Sequence, residues 1–466
     1  MAKEFNVLSI ICHMAMPAEK AKKEAEKAFE WGVDAIVGQS NSTDWGPYWL
    51  GDPDCHMLDR AQVSNNMNVF IKEALDHKVP FAFSLGTPSG SNKHLDECLD
   101  DIDKFARENN LHFKIALVRG EVSKDYILNK LKNGEKFKRV IDSDRLPEYL
   151  SEKDVEEVNR IVAQMGPEPI MKALQMDVDG VITGRALDVG LHMAPLLNAG
   201  FDKGTAAHMA KTIECAGVCL DGRQGFTTVY ATIGDGYFKI TTPNEEDRAS
   251  IKSVAGHSLF ERRNPFREEN PGGYLDLMEA VHEQIDDKTV KVSGGKWQPV
   301  EPYTVKVEGA KLTGYRCISI VGIREEKLLG QLDSFLETMR KKTDDWLSAK
   351  NLKAGEDYNL NFRIYGTDGV LGKAEKVKTV GHEVGLIIEG SGRTQEIANE
   401  VVEYTYGHLA YGYFPGRKST SNCETPYAPH FYQIPPDYRF NVWHLMPLED
   451  PCEPFDIEVM EFPRNK

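Results

Sequence analysis

The sequence predicts an α/β fold: a doubly wound, mostly parallel sheet in the N-terminal half, followed by a second α/β layer or domain in the C-terminal half. Two observations predict it. Short, near-continuously apolar runs rich in β-branched residues recur through the first half, as strands buried on both faces require. Between them lie stretches of strong helix formers with apolar residues at helical spacing.

The elements follow in order. NVLSIIC (6–12) is the first strand and AEKAKKEAEKAFEW (18–31) the first helix. DAIVGQS (34–40) is the second strand, with a helix within 56–77. PFAFSLG (80–86), HFKIALVRG (112–120) and GVITG (180–184) repeat the pattern, the last leading into the helical VGLHMAPLL. Residues 1–250 are read as one domain and 251–466 as a second. The second holds the strands YTVKVEGA, YRCISIVGI, NFRIYG and VGLIIEGS, with helices over 327–350 and near 394–410. From Pro415 the tail is rich in Pro, Tyr and polar residues, the composition of an extended wrap over a surface or an oligomer interface.

Composition narrows the function. The 466 residues are 41% hydrophobic and 27% charged, which is ordinary for a soluble globular protein with ample core. A net charge of −16 argues against nucleic acid or an anionic membrane as partner. The N-terminus has only a short apolar run before Pro17 and reads as no secretory signal, and no run reaches membrane-helix length. Eight scattered cysteines with no CxxC pair read as reduced thiols in a cytoplasm.

In open parallel sheets, ligands bind beyond the carboxyl ends of the strands. The loops there are CHMAMP (12–17), QSNSTDWGPYWLGD (39–52), SLGTPSGSN (84–92), VRGEVS (118–123) and TGRALD (183–188). In the second, Ser42, Thr43 and Asp44 present polar atoms, while Trp45, Tyr48 and Trp49 supply apolar walls. In the third, Gly86 and Gly90 permit close backbone approach, and Ser89, Ser91 or Asn92 can cap the next helix. That loop is either an anion cradle or a well-capped turn. No GxGxxG follows a strand, and GTDGVLGKAE (366–375) misses the phosphate-loop spacing, with Ala374 where Ser or Thr is required. No redox or nucleotide cofactor is expected.

Several residues can carry acid/base chemistry. Arg185 at a strand end can clamp a carboxylate or phosphate, or form a structural pair with Asp188. His192 lies one turn beyond, as a ligand or as a core histidine. Glu214, among small apolar residues in ECAGVC, would have its pKa raised by burial, or would be paired with an Arg. His257 and Glu261 are four apart, a proton-transfer pair or a plain surface pair. Asp44, shielded by its aromatic neighbours, is the favoured single acid/base or metal-binding residue. No ligand spacing singles out a metal, which stays unassigned.

The stretches STDWGPYWLG (42–51), ITGRALDVGLHMAPLL (182–197), SVAGHSLFERRNPF (253–266) and VSGGKWQPVEPYTVKVEGAKLTGYR (292–316) resemble, in order, the acyclic terpene utilisation AtuA family. One departure is Asn41 before Ser42, where a glycine-rich lead-in is expected. The resemblance implies a cytoplasmic protein in a catabolic pathway for branched acids handled as coenzyme A thioesters, and it transfers no catalytic residues. Two functions follow as expectations. One is a lyase or isomerase, hydrating, dehydrating or shifting a double bond on a small branched acid or its CoA thioester, the CoA moiety entering only as part of the substrate. The other is a non-catalytic acyl-binding or accessory subunit. A homo-oligomer is expected, with room for a second small subunit. An unpaired buried carboxylate in a convergent polar site would favour the enzyme, since a scaffold has no reason to keep one.

Overall fold

A computed structural model of the chain describes residues 4–12, 16–58, 60–222, 226–260, 262–377 and 379–464. They form two compact units, Met1–Lys311 with Phe440–Lys466, and Leu312–Arg439.

The five apolar runs of the first half are strands β1 (Phe5–Ile11), β2 (Ala35–Gln39), β3 (Phe81–Ser84), β4 (Phe113–Val118) and β5 (Gly180–Thr183). They lie side by side in the order β1-β2-β3-β5-β4, all parallel. The sheet as a whole is mixed rather than mostly parallel. Antiparallel strands β6 (Val229–Gly234), β7 (Tyr237–Thr241), β8 (Val281–Gln284) and β9 (Val290–Ser293) extend it beyond β1, and β10 (Ile457–Phe462) pairs antiparallel with β4. The order is β8-β9-β7-β6-β1-β2-β3-β5-β4-β10. Of the nine strand-to-strand pairings, only those among β1 to β5 are parallel.

Side-chain alternation divides the core. Leu8, Ile10, Ile36, Phe81, Phe83, Ile115 and Leu117 pack with helices α1 (Ala18–Trp31), α2 (Arg60–His77) and α3 (Asn92–Glu108). Their neighbours Val7, Val37, Ala82, Ala116 and Val181 pack with α4 (Pro167–Leu174), α5 (Asp188–Asn198) and α6 (Lys203–Ile213). Adjacent strand residues point to opposite faces, so these runs need apolar residues at every position. Each buried Leu, Ile or Phe contributes roughly 1.5–3 kcal/mol. No helix among the described residues is long and apolar enough to cross a membrane.

A three-stranded antiparallel sheet, Arg267–Asn270, Gly273–Asp276 and Lys296–Pro299, belongs to the same unit. The smaller unit carries the antiparallel strands Tyr358–Tyr365 and Val384–Gly392, the latter paired with residues 315–323, and helices Leu332–Ser348 and Gln395–Tyr411. The tail is more regular than its composition suggests: Tyr432–Pro447 is a strand of 16 residues, and β10 follows it.

Candidate functional site

The loops at the carboxyl ends of β2, β3 and β5 are fastened to one another by buried polar groups. Ser40 Oγ donates to Ser84 O, Thr87 Oγ1 donates to Ser40 O, and Asn41 Nδ2 donates to Leu85 O (2.9 Å) and Gly184 O (3.1 Å). The Asn41 side chain thus ties three loop ends together, which a glycine at this position could not do. Gly90 and Gly120 press against the Arg185 backbone: a Cβ on either would stand 2.6 Å or 2.4 Å from Arg185 N. Arg185 is fixed from both sides before its side chain makes any contact.

That side chain faces a cavity of about 600 Å³. Its wall includes Ser42, Asp44, Gln164, Arg185, Asp188, Lys211, Glu214 and Lys306, with the hairpin segment Glu268–Gly273 and apolar Leu187, Val189, Val300, Pro302 and Leu445. Behind the wall sits Glu308, 1% exposed. It accepts from Arg185 Nε (3.0 Å), Lys306 Nζ (2.9 Å) and Thr43 Oγ1 (2.9 Å). Although burial opposes it, the Arg185 and Lys306 charges hold the Glu308 carboxyl down at about 2. The Arg185 guanidinium also donates to Asn41 O and Ala186 O, so most of its donors are spent on the chain.

Two carboxylates in the wall are pushed the other way. Glu214, at the end of α6, is raised first by burial; Lys211, which donates to it, opposes this, while the charges of Asp188 and Glu268 add to it. Asp188, the first residue of α5, is also raised by burial, against the pull of Arg185, Lys211 and Lys306. Its Oδ1 is sealed from solvent with no hydrogen-bond partner among the described residues. On the hairpin side, Arg262 Nε lies 2.6 Å from Glu268 Oε2. The cavity therefore holds two carboxylates that resist ionisation beside a set of ion-paired cations. No group of three or more His, Cys, Asp or Glu among the described residues is placed to hold a metal.

Of the residues singled out in the sequence, Ser42, Asp44, Arg185, Asp188 and Glu214 meet at this cavity. Thr43 roots the wall through Glu308. The aromatic shield expected around Asp44 is absent: Asp44 is exposed, and Trp45 is 45% exposed beside it. Glu214 is partnered by Lys211 rather than by an Arg. His192 is buried away from the cavity, 3.2 Å from Ser9 Oγ, its Nδ1 donating to Asp188 O; burial lowers its pKa to about 4. His257 is buried against Phe260 and also lies off the cavity wall. Its proposed partner Glu261 lies outside the described residues, as do residues 13–15 of the first strand-end loop.

Gly86, Ser89 and Gly90 serve the chain itself. A Cβ on Gly86 would stand 2.9 Å from Leu95 N, and Ser89 Oγ pairs with His94 Nδ1 at 2.9 Å. The amide at the start of α3 already donates to a carboxylate, Asn92 N to Glu121 Oε2 at 2.9 Å, so this helix end offers a ligand one orphan donor fewer than a free terminus. Tyr48 is half-buried, edge-on to Trp49, and is not in the cavity wall. A second cleft of about 580 Å³ opens at Asn92, Arg119, Glu121 and Arg160.

Sequence reasoning missed Lys211, Lys306, Glu308, Arg262 and Glu268. Signals for some were present. Lys211 and Glu214 stand at i and i+3 in KTIE, and Lys306 and Glu308 stand at i and i+2 in a run otherwise read only as a strand.

Fold and site together define a mixed α/β protein with a charged cavity at its strand ends. The family described as acyclic terpene utilisation family protein AtuA matches residues 61–436, and the chain belongs to that family. No curated protein and no solved structure matches it.

Proposed function

We propose that this protein is a hydro-lyase or isomerase acting in the cytoplasm on a small branched carboxylic acid or its CoA thioester by general acid/base catalysis. Membership of a family of acyclic terpene utilisation supports the branched substrate. The observation that carries the reading is Asp188 Oδ1, sealed in the cavity wall without a partner beside the proton-retaining Glu214. A sealed carboxylate oxygen without a partner costs stability, and a binding scaffold would gain nothing from it.

The two acids divide the work. Asp188 faces three cations and is the one that ionises first, so it serves as base. Glu214 faces Asp188 and Glu268 and keeps its proton, so it serves as acid. For a 3-hydroxyacyl substrate, Asp188 removes the proton beside the carbonyl. The resulting carbon–carbon double bond expels the hydroxyl as Glu214 protonates it to water. Run backwards, the sequence is hydration; returning the first proton at another carbon shifts a double bond instead. The apolar wall of Leu187, Val189, Val300 and Leu445 receives the branched chain.

The test is proton NMR in deuterated water with short hydroxy acids, enoic acids and acyl thioesters. Deuterium beside a carbonyl, or new alkene or carbinol signals, is expected, and Asp188→Asn should slow it by roughly 10²–10⁴. No exchange on any compound would leave the accessory-subunit reading in its place.

A further inference from the structure

Arg262 has no role in the acid/base scheme, yet its guanidinium stands in the cavity wall. Its side chain is 8% exposed. Nη2 donates to Ser258 O, Nε is ion-paired with Glu268 without a hydrogen bond to it, and Nη1 is sealed from solvent with no partner among the described residues. A guanidinium held at one tip and lacking a partner at the other is arranged to donate to an oxygen that arrives with a ligand. The charge around it says what kind of oxygen. Arg185 and Lys306 are paired to Glu308 and Arg262 to Glu268, and Lys211 donates to the protonated Glu214, while the charges of Asp44 and Asp188, which no cation pairs with directly, balance the remainder. A second full negative charge on the substrate would enter a cavity whose cations are already matched.

Resting on the acid/base reading above, we propose that Arg262 Nη1 holds the carbonyl oxygen of an uncharged acyl group, an ester or thioester, and that a free carboxylate is not the substrate. As Asp188 takes the proton beside the carbonyl, the electron pair of the broken carbon–hydrogen bond becomes the enolate carbon–carbon bond. The carbonyl electrons move onto oxygen, where Arg262 meets the charge. A donor that strengthens only as this charge develops raises turnover more than affinity.

The experiment follows deuterium exchange with S-(3-hydroxy-3-methylbutanoyl)-N-acetylcysteamine and, separately, with free 3-hydroxy-3-methylbutanoic acid, at equal concentration and neutral pH. The wild-type protein should exchange the thioester and leave the free acid untouched. Arg262→Lys keeps the charge and loses Nη1, so kcat should fall about 100-fold with KM within a few-fold, while the pH dependence set by Asp188 and Glu214 keeps its shape. Glu268→Gln releases one positive charge into the cavity, so exchange on the free acid should appear.

Exchange of the free acid at a rate equal to the thioester's would overturn the substrate assignment while leaving the acid/base reading intact. Unchanged kcat in Arg262→Lys would remove Arg262 from the chemistry, and no gain on the free acid in Glu268→Gln would refute the charge argument. Absence of exchange on both compounds in the wild-type protein would sink the acid/base reading itself.

Discussion

Glu308→Gln tests whether one buried acid holds the cavity wall together. In the folded protein Glu308 receives Arg185, Lys306 and Thr43 while fully enclosed. Its carboxyl falls from 4.5 to about 2. At 1.36 kcal/mol per pH unit, that fall corresponds to ~3 kcal/mol of differential stabilisation of the charged form. The amide keeps the shape but leaves the buried Arg185 and the half-buried Lys306 without a carboxylate, and breaking a buried pair in this way costs roughly 3–5 kcal/mol. Because the folded pKa is depressed, the stabilisation is complete above the unfolded value near 4.5 and is lost as pH falls toward 2. Urea denaturation followed by tryptophan fluorescence should show the variant weakened by about 3–5 kcal/mol at pH 7, with the gap ~1 kcal/mol smaller at pH 4. A loss under ~1 kcal/mol at pH 7, the range of an exposed ion pair, or a gap that widens on acidification, would refute the assignment of Glu308 as the keystone.

Other expectations follow from the same contacts. The pH profile of kcat/KM should be a bell whose limbs lie near 6 and 8, the values toward which burial pushes Asp188 and Glu214; Glu214→Gln should abolish the alkaline limb, and a profile flat from pH 5 to 9 would contradict the pair. Gly120→Ala should displace Arg185, since the new Cβ meets its backbone N at 2.4 Å; a fall in melting temperature with weakened substrate binding is expected, and an unchanged variant would show that the close approach relaxes freely. Burial lowers His208 to about 3 and His192 to about 4. Each is neutral when folded and protonated when unfolded, so each removes ~1.4 kcal/mol of stability per pH unit as pH falls below about 6.5. His208→Gln should flatten the acid-unfolding curve by one proton, and an unaltered slope would place the acid sensitivity elsewhere.

The five parallel strands were legible because each is buried on both faces and so reads as an unbroken apolar run. Their loops could be nominated because ligands in open parallel sheets bind beyond strand ends. The antiparallel strands that extend the same sheet were not. Val229–Gly234 and Tyr237–Thr241 form a hairpin closed by Asp235-Gly236, with Gly234 opposite Tyr237 and Gly236 at φ +73; that dipeptide is a strong turn signal that sequence reasoning passed over. The last strand, Ile457–Phe462, hides in a tail whose prolines and tyrosines suggested an irregular wrap. Within the site, residue types could nominate Asp188 and Glu214. They could not nominate Glu308 as the partner of Arg185, because 123 positions separate the two and the pairing exists only once Thr304–Ile323 is in place.

The ion pairs that hold the wall also set its chemistry. Asp188 lies among Arg185, Lys306 and Lys211, and three unpaired cations would drive its pKa well below neutrality. Glu308 prevents that by drawing Arg185 and Lys306 to itself, so Asp188 meets a field already half cancelled. Lys211 donates to the protonated Glu214. Arg185 and Lys306 are thereby present to fix geometry while their charge is shared with Glu308, and burial is the largest force on both Asp188 and Glu214. A cavity of this kind can keep one proton between two acids at neutral pH, which a cavity of free lysines and arginines could not. Loss of Glu308 should for this reason lower the acid limb of activity as well as stability, since the released cations would turn to Asp188.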